Sequence, residues 1–372
     1  MHGLERETVR DARAAGDPLP GRTNPPNSGF AGRLATDPAV LTRDVLGRYP
    51  LFVDEDTPGE WADSPTALRS PRIVPPGAVV TRAGDGWQTE QVWSLPSPAR
   101  QLSAPSLAGE RLDDCLTQIV AEMAETPATT AVAFSGGIDS ALIAEALDTV
   151  CYVVGFPGSR DIQAARTAAT ALDVELRIRE VTHEELEQAI PRVARATGRT
   201  NSMDIGIAVS LHLAGRAAAA DGYERLAVGQ GADELFGGYE KLVEPAADHR
   251  LDAETLLAAQ LELIGTLPAQ LARDVLALRA ASIEPVAPFL DDRIVALALE
   301  LEERCLVAGD RRKVTVRETA DRRLPAELVE REKIAIQYGS HVSREIDRLA
   351  RRAGYKRRMT DHVGRYIRSL LD

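Results

Sequence analysis

Two strings in this chain concentrate residue types that handle charged oxygen chemistry. The first, Ser135-Gly-Gly-Ile-Asp-Ser140, stops an apolar run and opens a helix pattern. A glycine-rich turn into a helix exposes backbone N–H groups beside the positive end of the helix dipole, which makes an anion site. Ser135 and Ser140 add hydroxyl donors, and Gly136 and Gly137 let phosphate oxygens approach the backbone. Asp139 would repel a phosphate unless a divalent cation bridges the two, and Mg²⁺ suits that task. The plain alternative is a βα turn that happens to be rich in Gly and Ser. No GxxxxGK[ST] string occurs, so this is not the loop that holds a nucleotide for γ-phosphate transfer.

The second string is Gly229-Gln-Gly-Ala-Asp-Glu-Leu-Phe-Gly-Gly-Tyr239. Glycines again leave an apolar run (Arg225–Val228), two adjacent carboxylates follow, and a glycine pair ends a very short helix. Its plain alternative is a turn followed by a solvated acidic helix start.

The elements that must position these strings follow from periodicity. Residues 1–28 hold Pro, Gly, Asn and Asp without a period and read as a loose tail. From 29 to 95, short β-like runs (Val40–Thr42, Leu51–Val53, Ala78–Thr81, Gln91–Trp93) alternate with turn signals, the pattern of a small antiparallel unit. Residues 96–110, with three prolines, read as a linker. Beyond it, strands at Ala131–Phe134, Val150–Phe156, Val174–Arg179 and Arg225–Val228 alternate with helices at Leu112–Ala124, Ala141–Leu147, Ile162–Ala171, 183–196 and 204–220. That alternation predicts an α/β domain with a parallel sheet covered by helices on both faces. From 251 to 350 the pattern is nearly all helical, and the tail 344–372 carries nine basic residues.

Composition narrows the setting. At 372 residues and 44% hydrophobic, the chain has room for two domains with a sizeable core. No apolar run reaches the length of a membrane span and the polar N-terminus is no signal peptide, so a cytoplasmic location is expected. Three scattered cysteines (Cys115, Cys151, Cys305) fit a reducing compartment. The net charge of −12 argues against a nucleic-acid partner. Only four of the 44 basic residues are lysines (Lys241, Lys313, Lys333, Lys356), which singles each of them out.

SGGxDS after a strand resembles the pyrophosphate loop of the ATP pyrophosphatase superfamily, and GQGADELFGGY resembles the signature of the synthetase domain of class B asparagine synthetases. Val286-Ala-Pro-Phe-Leu-Asp291 is similar to that family's VPFLD segment, Gly309–Pro325 to its G…K…LRE…LP helix, and Glu330-Arg-Glu-Lys-Ile334 to its RxK segment. The resemblance spans 110–343 in order and implies an adenine nucleotide alpha hydrolase-like fold over 111–343, followed by a basic helical tail. It implies an ATP-dependent, AMP-forming amide ligase that adenylates aspartate or a related acid for attack by ammonia or another amine. ATP and Mg²⁺ are the implied cofactors. Ser135, Gly136, Gly137, Asp139 and Ser140 would hold pyrophosphate; Gly155, Gly229 and Gly231 would line the nucleotide; Asp139 and Asp233 would face the metal. Lys333 would neutralise charge developing on the phosphates, and Asp291 would be a polar residue of the site. A separate amine-donating protein and an oligomeric assembly are compatible with this reading; a membrane partner is not expected.

Two departures stand out. The family has Glu where this chain has Gln230, and that carboxylate is expected to help deprotonate the attacking amine; Asp204, at a helix start, is a candidate substitute, its alternative being a helix N-terminal acid stabilised by the dipole. Upstream, residues 41–80 resemble the later half of the family's glutaminase domain, but position 2 is His2 where the family has its cysteine nucleophile. Residues 29–95 are therefore expected to be a non-catalytic remnant packed on the synthetase part. Two other readings stay open: a tRNA-modifying pyrophosphatase using the arginine-rich tail, and a regulatory paralogue without amidation activity.

Gln230→Glu should leave acid-dependent pyrophosphate exchange within a few-fold of wild type and raise ammonia-dependent product formation. The gain should fall short of the ~10²–10⁴-fold typical of a positioned base and shrink toward alkaline pH, where free ammonia accumulates. Loss of the exchange reaction would instead make the Gln230 amide a ligand of ATP or of the acid.

Overall fold

The antiparallel pattern of the first hundred residues forms two small sheets. In the computed structural model, which describes residues 1–23, 28–35, 39–329 and 339–371, β1 (His2–Gly3) pairs with β2 (Phe30–Ala35), β2 with β3 (Val40–Arg43). A three-stranded sheet follows: β4 (Phe52–Asp54) sits between β5 (Trp61–Ala62) and β6 (Pro71–Ile73). The chain then returns to the first sheet with β7 (Ala78–Ala83) and β8 (Gly86–Gln91), giving the order β1-β2-β3-β7-β8. Alternating inward residues make the core here: Ala31, Leu41, Leu51, Val53, Val74 and Val80 form one buried cluster.

Residues 1–23 are not the loose tail their composition suggests. They carry a helix, α1 (Arg6–Ala15), ended by Gly16 at φ 68°, the left-handed cap that glycine adopts without strain. Val9 joins Leu4, Phe30, Leu34, Val79 and Trp93 in a second buried cluster. Few apolar residues do this work, so no period shows in the sequence; tertiary burial, not local propensity, orders the segment.

Beyond the β unit, α2 (Pro105–Ala124) starts inside the stretch read as linker, with proline at its first turn where no N–H is needed. There follow β9 (Thr130–Ala133), α3 (Ile138–Leu147), β10 (Cys151–Gly155), α4 (Arg160–Leu172), β11 (Leu176–Glu180), α5 (His183–Thr197), α6 (Ser202–Ala220) and β12 (Arg225–Ala227). Then come α7 (Ala232–Phe236), α8 (Leu256–Ile264), α9 (Leu267–Arg279), β13 (Glu284–Val286), α10 (Asp292–Glu300), α11 (Glu303–Leu306), α12 (Val314–Arg323) and α13 (Ala326–Val329). Helices Val342–Arg352 and His362–Ser369 close the chain.

All four ladders of the sheet β11-β10-β9-β12-β13 are parallel. Strand β13 lies in a region that reads as helical. It is three residues long and contains Pro285, which a sheet tolerates at its edge, where β13 sits. The chain divides into two compact units: residues 1–126, 229–272 and 287–323 form one, and 127–228, 273–286 and 324–372 form the other, which holds the parallel sheet.

Within the first unit, the N-terminal β-rich segment packs on later parts of the chain through buried polar contacts: Gly21 N–H donates to Asp292 Oδ2 (2.7 Å), and Arg43 Nη2 donates to Pro268 O (3.4 Å). The arginine-rich tail, in the second unit, turns an apolar face inward (Val342, Ile346, Leu349, Ala350). Its Arg344 and Arg348 pair with Glu345, and Arg351 and Arg357 with Asp347.

Leu19, fully buried at the end of the segment after α1, tests the reassignment of residues 1–23. Leu19→Ala should cost about 2–5 kcal/mol in urea unfolding, the usual range for a buried leucine. A loss below about 0.5 kcal/mol would return the segment to a loosely attached tail.

Candidate functional site

In an open parallel sheet, ligands bind beyond the carboxyl ends of strands where the winding reverses. Here the reversal lies at β9, which pairs with β10 on one side and β12 on the other. The glycine loop after β9 therefore occupies the favoured position. Gly136 has φ 71°, and a Cβ there would sit 2.5 Å from the Ala164 carbonyl, so both conformation and space demand glycine. Gly137 N–H donates to Ser135 Oγ (3.4 Å), Ser140 Oγ donates to Gly137 O (3.0 Å), and the two hydroxyls lie 3.3 Å apart. The first intrahelical bond runs from Ala141 N–H to Gly137 O (2.9 Å), so the amides of Ile138, Asp139 and Ser140 form the positive first turn of α3. Asp139 and Ser140 are buried in that turn.

Gly155 ends β10 in the same unit. A Cβ there would meet Ser159 Oγ at 2.5 Å. The Ser159 hydroxyl is fully buried and has no hydrogen-bond partner among the described residues. Asp204 is the N3 residue of α6: Asn201 accepts its backbone N–H (2.9 Å) and donates Nδ2 to Oδ2 (2.6 Å), and Arg273 Nη1 donates to Oδ1 (2.8 Å). Burial pushes this carboxyl up, but Asn201, Arg273 and Arg199 outweigh it and hold it below its ordinary value. A carboxylate so committed makes a poor substitute base, and the helix-terminal alternative describes it better.

The second string belongs to the other unit. Gly229 and Gln230 are half-buried, and Gly231, at φ 89°, caps α7, which carries Asp233. Asp233 Oδ1 pairs with Lys313 Nζ at 2.7 Å, with Lys313 only 5% exposed. Gly238 makes this pairing possible, because a Cβ there would overlap Oδ1 of Asp233 and lie 2.5 Å from Lys313 Cε. Lys313 itself sits at φ 55°, a strained region for a residue with a side chain and the kind of outlier that clusters at functional sites. Two sequence signals point to Lys313, the scarcity of lysine and its place as the lysine of the Gly309–Pro325 segment, though neither states its role. Neighbouring Glu234 is pushed up by burial, although it accepts Tyr239 Oη (2.6 Å) and Gln270 Nε2 (3.1 Å).

Asp291 caps α10. Its Oδ1 accepts the Arg293 N–H (2.9 Å) and Nε (2.8 Å), and its Oδ2 accepts Ser28 Oγ (2.8 Å) and Arg293 Nη2 (3.1 Å). Both oxygens are engaged in building this turn. Lys333 and the rest of the Glu330–Ile334 segment lie outside the described residues.

Among the described residues, no group of three or more His, Cys, Asp or Glu side chains gathers to hold a metal. Asp139 in one unit and Asp233 in the other each offer a carboxylate, a donor type that magnesium takes alongside substrate phosphates. Burial pushes the thiols of Cys115, Cys151 and Cys305 up, Cys151 to about 12, which removes their nucleophilic character near neutral pH. Among the described residues no helix is long and apolar enough to cross a membrane.

A family model described as asparagine synthase matches residues 111–265 and 245–362. A glutamine-hydrolyzing asparagine synthetase 1 of Methanocaldococcus jannaschii is 28% identical over 304 residues, covering 71% of this chain and 56% of that protein. Asparagine synthetase B of Escherichia coli is 28% identical over 184 residues, 49% of this chain and 32% of that protein. A glutamine-hydrolyzing asparagine synthetase of Zea mays is 24% identical over 290 residues, covering 71% of this chain and 47% of that protein. The chain thus spans roughly half or less of the length of these relatives. A solved NMN synthetase from Francisella tularensis aligns over 72% of this chain and 93% of its own at 14% identity, with a TM-score of 0.34.

The lowered Asp204 carboxyl has a stability consequence. Its contribution is fully present above the unfolded value of about 3.9 and is lost as pH falls through the lower folded value. Urea midpoints of wild type and Asp204→Asn should therefore differ at pH 6 and converge in the acid range below about 3.9. Parallel curves across that range would remove the Arg273–Asp204 contact from the stability of the fold.

Proposed function

This chain belongs to the asparagine synthase family, and we propose that it is an ATP-dependent, AMP-forming ligase joining a carboxylic acid to ammonia or another amine. Aspartate or a related acid is the substrate favoured by the resemblance. The observation that carries the reading is the Ser135–Ser140 loop: two glycines, two hydroxyls and a helix N-terminus at the point where the parallel sheet reverses.

A carboxylate oxygen of the acid attacks the α-phosphorus of ATP, and the bond from that phosphorus to the pyrophosphate oxygen breaks. Ser135, Gly136, Gly137 and Ser140 hold the departing pyrophosphate through hydroxyls and backbone N–H groups. Gly155, Gly229 and Gly231 leave room along the nucleotide. Magnesium, when bound, supplies positive charge to the phosphates, with Asp139 and Asp233 as its protein carboxylates. Lys333 and Lys313 are assigned to phosphate charge. For Lys313 the support is a buried ammonium that pairs with Asp233 at 2.7 Å. The amine nitrogen then attacks the acyl carbon, AMP leaves, and the nitrogen's proton goes to solvent or to a base other than Gln230, whose amide cannot accept it at neutral pH. Holding both reactants in one orientation supplies about 7–11 kcal/mol of such a barrier.

Residues 29–95 contain no cysteine, so this stretch brings no thiol of its own to glutamine. The nitrogen arrives as free ammonia or from a separate amine-donating protein. The tail offers a nucleic acid less than its composition suggests, since Arg344, Arg348, Arg351 and Arg357 are engaged by Glu345 and Asp347.

Purified protein given labelled ATP, Mg²⁺ and a panel of acids, with tRNA in the same panel, should release AMP and pyrophosphate only when its acid is present. Release with tRNA alone would move the protein to the base-modifying class, and no release with any substrate would make it a regulatory paralogue. Lys313→Met should lower AMP release by on the order of 10²-fold, the loss of one preorganised electrostatic contact. Wild-type rates in that variant would reduce Lys313 to a structural partner of Asp233.

A further inference from the structure

The turn Pro288–Leu290 is gripped from two sides within one unit of the chain. On one side it packs on α7. A Cβ on Gly231 would overlap the Leu290 side chain, so Leu290 fills the space that the missing Cβ leaves. Phe289 meets Phe236 edge-to-face, with ring centroids 6.3 Å apart and planes at 70°. Gly231 and Phe236 bracket α7, so these two contacts fix both ends of the turn of helix that carries Asp233.

On its other side the turn is held by Arg48, in the loop between β3 and β4. Arg48 donates Nε to the Leu290 carbonyl (2.8 Å), Nη2 to Asp292 Oδ1 (2.5 Å) and Nη1 to Asp44 Oδ1 (2.9 Å). The Arg48 N–H donates to Asp44 Oδ2 (3.0 Å), which locks the loop that presents the guanidinium. Arg48 is 8% exposed, and Asp44 and Asp292 are fully buried. Ser28 joins the same junction by accepting the Asp292 N–H (3.0 Å). A planar fork with several fixed donors holds three acceptors in one geometry, which the flexible point charge of a lysine does not do.

We propose that Arg48 is a positioning residue: it fixes Leu290, and through Leu290 and Phe289 it sets the placement of α7 and of the Asp233 carboxylate. The β-rich segment that carries Arg48 thereby serves as a built-in brace for the acidic loop. The role of Asp233 in this proposal rests on the ligase reading; the brace rests on the contacts alone.

Hydrogen exchange separates the two. Arg48→Lys keeps the charge between the buried carboxylates while losing the fork. In the full chain it should speed exchange at the amides of Leu235 and Gly238, which bond to Gly231 O and Asp233 O, as well as near Asp44 and Leu290. AMP release should fall about 10–100-fold in kcat, the scale of an ångström of misplacement, with KM for the acid within about two-fold. Arg72→Ala, which breaks an exposed pair with Glu55, should change neither. Faster exchange confined to residues 44–49 and 288–292, with 229–239 unchanged, overturns the proposal, as does an equal effect from Arg72→Ala. If Arg48→Lys fails to fold, Leu290→Ala replaces it: it leaves the charges untouched and should speed exchange at Leu235. Wild-type exchange at Leu235 in Leu290→Ala overturns the proposal too. A wild-type protein that makes no AMP with any acid defeats the ligase reading, and the exchange results then judge the brace by themselves.

Discussion

The pairing of β9 with β12 is short, with only Thr130, Ala131 and Val132 set against Arg225, Leu226 and Ala227, yet the rest of the structure depends on it. It joins the first strand of the sheet to one that arrives roughly a hundred residues later and sends the winding in the opposite direction. Ala131, Val132, Leu226 and Ala227 are buried at this pairing, as in a strand covered on both faces, while Thr130 and Arg225 stay half-buried at the strand starts. A parallel ladder gives every strand the same direction, so the loop after β9 leaves from the carboxyl edge of the sheet. The chain concentrates glycine, hydroxyl and carboxylate groups in the turns following these two strands, and keeps aliphatic residues inside them.

Much of this was legible because the driving forces are local. An apolar run interrupted by two glycines before a helix pattern reports a strand, a turn and a helix N-terminus within about ten residues. Each of those assignments rests on side-chain size or backbone freedom. Where the outcome depends on distant partners, the sequence is mute. Helix α1 orders because Val9 finds Phe30, Val79 and Trp93, none of them within twenty residues of it. Strand β13 consists of Glu-Pro-Val inside a stretch that reads as helical, and it becomes a strand because β12 offers it an edge. Asp291 reads as a site carboxylate because of the motif around it, but its oxygens are occupied by Arg293 and Ser28, and no local rule announces a partner 263 residues away.

Lys313 shows a middle case. Its importance was hinted at by composition, since a chain that uses arginine almost everywhere retains lysine at four places. Its geometry explains one such retention. Its side chain passes against Gly238, where a Cβ would lie 2.5 Å from Lys313 Cε, and its ammonium meets Asp233. The left-handed backbone at this residue adds a conformational cost, and the surrounding contacts must outweigh it. Position and chemistry are thus specified together, by residues the local sequence around 313 does not contain.

The two compact units are interleaved along the chain, which passes from one to the other after residues 126, 228, 272, 286 and 323. Neither unit can therefore be completed by a contiguous stretch of polypeptide emerging from the ribosome. Arg48 makes the point sharply, because its buried partner Asp292 is 244 positions downstream. At ~5–20 residues per second of synthesis, the guanidinium waits roughly 10–50 s with only Asp44 beside it. Throughout that interval the β-rich segment lacks the downstream residues it packs against in the folded chain. Contacts so distant in sequence slow folding through the entropy of closing long loops. The nascent chain thus carries an exposed, half-paired face for most of its translation, and the window for mispairing or chaperone capture is set by the length of the sequence between those two residues.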